Sequence, residues 1–206
     1  MKARTRPTHE RGVTLVVVLV LLIASALLGV SAAVIALQTE KAARGDRDRQ
    51  IAFEAAEAAL IDAQRDIEAA GSAAPNARPL VMAADSGLGF PALDQVSVCN
   101  SGGPANGPGY GLCRRPLLST AASWPAEGLA NASISVTYGQ FTGQQFPSGR
   151  PGLPNRPPRY VIELMPYVQP GRSVQTQSFG YRISAIGFGT SADTQVVLQA
   201  FYRKEQ

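Results

Sequence analysis

The hydrophobic pattern divides the chain into three stretches of different period. From Val13 to Leu37 every position is uncharged and most are Val, Leu, Ile or Ala, with no polar face at any helical period. From Gln38 to about Ala70 the sequence is Ala-rich, charged and free of Pro, and Phe53, Ala56, Leu60, Ala63 and Ile67 recur at spacings of three and four. That spacing places them on one side of a helix, a candidate surface for packing against a sheet. Glu54, Glu57, Asp62, Arg65 and Glu68 fall mainly on the remaining faces, where solvent or neighbours along the helix would satisfy them. Asp46 and Asp48, on either side of Arg47, read as an ordinary solvated face. Gly71, with Pro75 beyond it, supplies the stop. Beyond Gly71 the period shortens to two. Ile134, Val136 and Tyr138 alternate within Ser133–Tyr138, and Tyr181, Ile183 and Ala185 within Gly180–Phe188. Arg159–Met165 and Gln195–Arg203 complete the expected strands, and the Gly187–Asp193 run makes a turn between the last two, giving an antiparallel hairpin. Residues 71–91, Ser101–Gly111 and Pro147–Pro158 are rich in Gly and Pro and are expected to be linker or loop.

These elements predict an α+β chain: a long N-terminal helix packed on a C-terminal antiparallel sheet. The first half of the helix is apolar all round and the second half is amphipathic. Residues 1–12 form a leader, 13–37 a membrane-spanning segment, 38–70 its amphipathic continuation, and 71–206 a β-rich domain.

Charge changes the picture chiefly at the N-terminus. The formal net charge of +4 suggests a nucleic-acid partner until its position is considered. Taking Lys2, Arg4, Arg6, Arg11 and Glu10 from the 19 basic and 15 acidic residues leaves 15 and 14, too even a balance for an electrostatic footprint on DNA. No direct nucleic-acid binding is therefore expected. The same basic residues ahead of the apolar block favour a cytoplasmic N-terminus, with everything after Leu37 outside. An apolar run of about 20 residues crosses a bilayer core as a helix, and Val13–Leu37 exceeds that length. A cleaved secretory signal, cut near Val30-Ser31-Ala32, would need a shorter apolar run. A plain signal anchor fits the hydrophobicity equally well.

The one histidine, His9, lies in the leader. Without it, Ser-His-Asp and Cys-His catalysis and His-containing metal sites are unavailable. No phosphate-binding glycine loop, nucleophile elbow or metal-ligand spacing appears. The sequence thus reads as a non-enzyme without a cofactor. Cys99 and Cys113 flank a Gly/Pro/Asn-rich loop and are expected to oxidise to a disulfide outside the cytoplasm. Free thiols or a metal site are the alternatives, and two cysteines without histidine partners make a poor zinc site.

The junction Arg11-Gly12-Val13-Thr14-Leu15 resembles the leader junction of type IV pilins and pseudopilins, a short basic segment ending in Gly and followed directly by an apolar helix. The resemblance implies that prepilin peptidase cuts between Gly12 and Val13 and methylates the new amine of Val13. Most pilins carry Glu as the fifth residue after the cut; here that position is Val17. Val17 argues against a major pilin and for an initiating or capping subunit, because a carboxylate in an apolar filament core needs a neighbouring partner. Farther on, Arg49, Ala52, Phe53, Ala55, Ala56, Glu57, Ala59 and Leu60 match the R-x-x-A-F-x-A-A-E-x-A-L pattern of PilX-type minor pilins. The C-terminal third follows the same family in order: Pro158-Arg159-Tyr160-Val161-Ile162-Glu163, then Tyr181-Arg182-Ile183-Ser184-Ala185, then Val196-Val197-Leu198-Gln199 to Tyr202. Tyr160, Tyr181 and Tyr202 are expected to be sheet positions without a binding role.

The resemblance implies a minor pilin that starts or caps a type IV pilus, held in the bacterial inner membrane with its C-terminal domain in the periplasm and then passed to the fibre. Its implied partners are other minor pilins, the major pilin, the inner-membrane assembly platform, prepilin peptidase and a candidate tip adhesin. A type II secretion pseudopilin, or a single-pass membrane-anchored periplasmic binding module, is the alternative.

Overall fold

The structure is a computed structural model, and it describes residues 13–79, 82, 87, 89–91, 98–99, 107–114, 126–130, 132–167 and 178–204. The leader and parts of the expected linker and Ser101–Gly111 loop lie outside the described residues. The chain divides into two units, Met1–Asp46 and Arg47–Gln206.

In the first unit the described residues are all helical and belong to α1, which runs from Val13 to Ala69. None of the residues from Val13 to Asp46 is buried. Leu15, Leu21, Leu28 and Val30 are each more than 60% exposed.

The second unit holds the remainder of α1 and a six-stranded sheet. Strands β1 (Val98–Cys99), β2 (Leu112–Arg114), β4 (Arg159–Tyr167), β5 (Ser178–Phe188) and β6 (Gln195–Tyr202) lie side by side in the order β1-β2-β4-β5-β6, and β3 (Val136–Thr137) also pairs with β4. A short helix, α2 (Ala126–Ala130), precedes β3. The sheet is mixed: β2 runs parallel to β4, with Leu112 opposite Ile162, and the other pairings are antiparallel. Strand β4 shares one edge between β3, near Tyr160, and β2, near Ile162. The expected strand at Ser133–Tyr138 therefore contracts to two residues.

The part of α1 in this unit packs a face of small residues on the sheet. Ala52, Ala55, Ala56, Ala59, Ala63 and Ile67 are buried. At the closest approach, a Cβ built on Gly187 would lie 2.0 Å from the Ala52 carbonyl oxygen and 2.4 Å from the Ala56 nitrogen. Of the stripe expected from the sequence, Ala56, Ala63 and Ile67 sit in this face and Leu60 packs partly against it. Phe53 does not, remaining 37% exposed. A ring cannot enter where two backbones pass so closely, so the helix turns its alanines inward and carries Phe53 on its flank.

Alternation along the strands builds two cores. Tyr160, Ile162 and Leu164 of β4 and Tyr181, Ile183 and Ala185 of β5 join Ala59, Ala63 and Ile67 on the helix side. Val161, Ile186 and Phe188 point to the opposite face, where Leu129 of α2 and the Cys99–Cys113 disulfide cover them. Strand β5 is accordingly buried on both faces over its second half. The disulfide joins register partners on β1 and β2, and closing a loop of this length contributes roughly 3 kcal/mol on the chain-entropy account. Gly71, at φ 79°, ends the helix: its N–H donates to the Arg78 carbonyl at 2.7 Å and turns the chain back.

The close approach makes Gly187 intolerant of any side chain. Gly187→Ala is expected to cost about 1–3 kcal/mol by overpacking, lowering the melting temperature of the detergent-solubilised chain by several degrees. Gly45→Ala, with nothing within 4 Å of the added carbon, should leave it equal or slightly higher.

Candidate functional site

Two features stand out, and they are described separately because they belong to different units. In the first, α1, which begins at Val13, is the only helix among the described residues long and apolar enough to cross a membrane, and its uncharged stretch runs from Val13 to Leu37. At 1.5 Å per residue it is about 38 Å long, more than the roughly 30 Å of a hydrocarbon core. Its two serines are satisfied internally, as a lipid interior requires. Ser25 Oγ donates to the Leu22 carbonyl and Ser31 Oγ to the Leu27 carbonyl, both at 2.9 Å. Val13 is the first residue of α1 and is 69% exposed; Val17 is 50% exposed. Gly12 lies outside the described residues.

In the second unit, a set of polar contacts holds α1 on the sheet. At its centre, Arg78 and Asp66 are both fully buried. The guanidinium donates from Nε to Asp66 Oδ1 and from Nη2 to Asp66 Oδ2, each at 2.8 Å. Its Nη1 donates to the carbonyls of Pro108 at 2.8 Å and Tyr110 at 2.7 Å. The Arg78 carbon rests 3.7 Å from the centre of the Phe141 ring. Tyr160 on β4 donates its hydroxyl to Asp66 Oδ2 at 2.9 Å. Burial, and then the charge of Asp66, hold the Tyr160 phenol well above its ordinary range, so it stays a donor. One carboxylate and one guanidinium thus join the last helical turns, the segment after α1, the approach to β2, and β4.

One turn earlier, Asp62 is also buried, accepting from the Gly139 N–H at 2.7 Å and from the Thr142 hydroxyl. Desolvation raises its carboxyl above the ordinary value despite those two bonds. Two further contacts lie at the ends of the helical segment. Asp48 accepts from the Thr190 hydroxyl at 2.6 Å and from the N–H groups of Thr190 and Ser191 in the β5–β6 turn. Burial opposes its ionisation, and the bonds from Thr190, Thr194 and Ser191 outweigh it and lower the carboxyl. Glu68 accepts from the Tyr202 hydroxyl at 2.8 Å, and Lys204 Nζ donates to the Ile67 carbonyl at 3.1 Å. Across the sheet, buried Glu163 pairs with Arg182 at 2.9 Å.

Asp48 and Asp62 therefore depart from the solvated role expected of them, because the helix face that meets the sheet also meets loop N–H groups needing acceptors. Asp62 and Asp66 could have been found by their spacing: they interrupt the apolar series Ala59, Ala63, Ile67 at positions that point inward. Arg78 carried no such signal within its Gly- and Pro-rich surroundings. Tyr160 and Tyr181 are buried sheet positions as expected, but the Tyr160 and Tyr202 hydroxyls also bind the helix. Among the described residues, no three His, Cys, Asp or Glu side chains group as metal ligands would.

Two family models match the chain. The model described as "Type IV pilus assembly protein PilX C-term" covers residues 97–204, and that described as "PilX N-terminal" covers residues 11–60. The chain belongs to the PilX family of type IV pilus assembly proteins. A search of curated proteins finds no match, and neither does one of solved structures. PilX proteins are structural pilus components, and the two matches fall on the two features above: one on the apolar helix and its alanine face, the other on the sheet from just before β1 to beyond β6. In this lock Asp62, Asp66 and Arg78 lie between the matched segments, and their partners Tyr110, Gly139, Thr142 and Tyr160 lie within the C-terminal one.

Truncating the lock should be costly. Arg78→Met leaves Asp66 buried without its cation and is expected to cost about 3–5 kcal/mol. Arg78→Met combined with Asp66→Leu should cost clearly less than the two single changes added together, as measured by thermal melts in a double-mutant cycle. Asp62 gives a pH test. Its folded carboxyl sits above the ordinary 3.8, so its stabilisation is full below that value and is lost as pH rises through the folded one. Asp62→Asn removes this loss, so the melting temperature of the variant relative to the parent should rise between pH 3 and pH 7.

Proposed function

We propose that this PilX protein is a non-catalytic minor pilin that initiates the pilus or sits near its tip. The observation that carries the reading is the uncharged helix beginning at Val13, exposed along its whole apolar length, with Val17 where pilins usually carry a glutamate. Such a helix needs apolar surroundings, first lipid and then the helices of neighbouring subunits. Packing among apolar helices there relies on close contact and satisfied polar groups rather than on expulsion of water. A subunit at the end of a fibre has no neighbour above it whose amine would call for a carboxylate, which is why Val17 suits that place.

The basic residues of the leader favour a cytoplasmic N-terminus and a periplasmic domain, and a Cys99–Cys113 disulfide suits that compartment. Prepilin peptidase would cut after Gly12 and methylate Val13. Partners in this reading are the other minor pilins, the major pilin, the assembly platform and a tip adhesin. A capping or initiating subunit should be present at a small fraction of the major pilin.

Mass spectrometry of membranes and sheared fibres from the native host tests this. The expected result is an N-methylated peptide starting at Val13 in both fractions, far scarcer than the major pilin in the fibres. A retained Met1–Gly12 segment would overturn the pilin reading and leave a membrane-tethered periplasmic domain. A peptide starting at Ala33 would mean ordinary secretion.

A further inference from the structure

The outward face of α1 in the second unit carries a carboxylate set among apolar side chains. Beyond Asp46, the exposed large apolar residues among those described are Phe53 at 37%, Ile61 at 52% and Phe201 at 56%. Glu57 is exposed midway between the first two, four residues from each, so the three form one stripe about 12 Å long. Neighbouring carboxylates are engaged. Glu54 accepts from Gln50 Nε2 at 3.1 Å, and Glu68 accepts from Gln64 Nε2 at 3.0 Å and from the Tyr202 hydroxyl. Among the described residues Glu57 has no hydrogen-bond or ion-pair partner. No basic residue stands three or four positions from it on the helix, where a partner would have to be.

The complementary chemistry sits on the connection from β3 to β4. Residues 138–158 form no helix or strand, yet they are fastened at several points. Asp62 holds their start through Gly139 and Thr142, and the Tyr138 and Phe146 rings meet at 5.1 Å. The Gly149 N–H donates to the Pro154 carbonyl and the Asn155 N–H to the Gly189 carbonyl, both at 2.8 Å. A long connection that is held in place in this way is a frequent carrier of binding sites. On it, Gln145, Phe146, Pro147, Ser148, Arg150 and Leu153 line a pocket of about 450 Å³, within the range of ligand pockets. The pocket has an apolar wall and one charge. Arg150 is exposed, and among the described residues its guanidinium has no acceptor. By contrast Arg78 is engaged by Asp66, Arg159 by Ser135 and Thr137, and Arg182 by Glu163. No Asp or Glu occurs between Glu127 and Glu163 to answer Arg150 from nearby in the chain.

We infer that the two patches are the halves of one contact between copies of this chain. Glu57 of one copy pairs with Arg150 of the next, and Phe53 and Ile61 rest on the wall made by Phe146, Pro147 and Leu153. Opposite charges at the centre set the partner and the register, and the apolar side chains on either side keep water from the pair. The halves do not meet within one copy. At about 100° per residue, Glu57 and Glu68 share a flank of α1, and Glu68 receives the Tyr202 hydroxyl from β6. Asp62, which holds the connection bearing the pocket, lies about 140° round the helix from Glu57. Unlike patches on different flanks join neighbours head to tail, so the contact builds rows or rings rather than two-fold pairs. Both patches lie in the second unit, and the inference does not rest on the place in the pilus proposed above.

The test places the photo-crosslinker p-benzoylphenylalanine at Ile61 and, separately, at Gln145 on the pocket, with the exposed β6 residue Gln199 as control. The full chain is irradiated in membranes of the native host, and adducts of twice its mass are isolated and their linked peptides sequenced. The expected result is that Ile61 links to residues 145–153 of a second copy, Gln145 links to residues 53–61, and Gln199 links to neither. Arg150→Glu and Glu57→Arg should each lower the yield on the order of tenfold, because like charges then face each other. The two changes together should restore it to roughly that of the parent. Both side chains are exposed and unpartnered, so all three variants should melt within about 2 °C of the parent, and a lost adduct then reports the contact rather than the fold. Adducts to a different protein, doubled adducts linked elsewhere, no adduct above the Gln199 control, or a double variant as weak as the single ones would overturn the inference. N-terminal mass spectrometry of the same membranes separates the two proposals, because a methylated Val13 without these adducts removes this inference alone.

Discussion

Helix α1 can lie on this sheet only because Ala52, Ala56 and Gly187 leave almost no side chain between two backbones. Much of the second unit follows from that approach. It brings the Asp62 and Asp66 carboxylates within reach of loop N–H groups and of Arg78, which a larger spacing would leave to water. It also moves bulk to the margins, so Phe53 and Leu60 settle at the edge of the interface. A helix of small residues buries little area per residue, so directional contacts must supply specificity and part of the stability. The buried ion pair and its carbonyl, phenol and ring partners serve that need. With all its partners present, a buried charge costs little; with one missing, it costs several kcal/mol.

The polar contacts are spread along the helical segment rather than gathered in one place. Asp48 holds the β5–β6 turn, Asp62 and Asp66 the middle, and Glu68 with Lys204 the far end of β6. Register along the sheet is fixed by alternation, and register of the helix on the sheet by these contacts. An interface fastened at several points along its length holds the helical segment to the sheet more firmly than one contact would. The family match agrees, since the matched segments carry the helix and the sheet that these contacts join.

How much was legible differs from element to element, for physical reasons. The α1 span from Val13 to Ala69 follows from an unbroken helical pattern and a Gly stop. Strands β4, β5 and β6 lie at the expected spans Arg159–Met165, Gly180–Phe188 and Gln195–Arg203, with alternation clearest at Tyr181, Ile183 and Ala185. Both kinds of signal are local. Strand β2 was not legible, because three residues carry no period, and its parallel pairing with β4 arises from where the disulfide-tied segment is laid down. The face of α1 was half legible: spacing identified Ala56, Ala63 and Ile67, but a hydrophobicity count favours Phe53 over Ala52, and the close approach at Gly187 reverses that order.

The amino-acid sequence by itself determined the uncharged helix, the amphipathic continuation and the long strands of the hairpin, because each depends on the period and charge of neighbouring residues. It also carried the family, through motifs at both ends of the chain. Tertiary structure alone decided that Arg78 reaches Asp66 across twelve residues and Tyr110 across thirty-two, and that Phe53 stands outside the core. Those outcomes depend on which backbones approach each other in space, a distance that no local pattern of residues encodes.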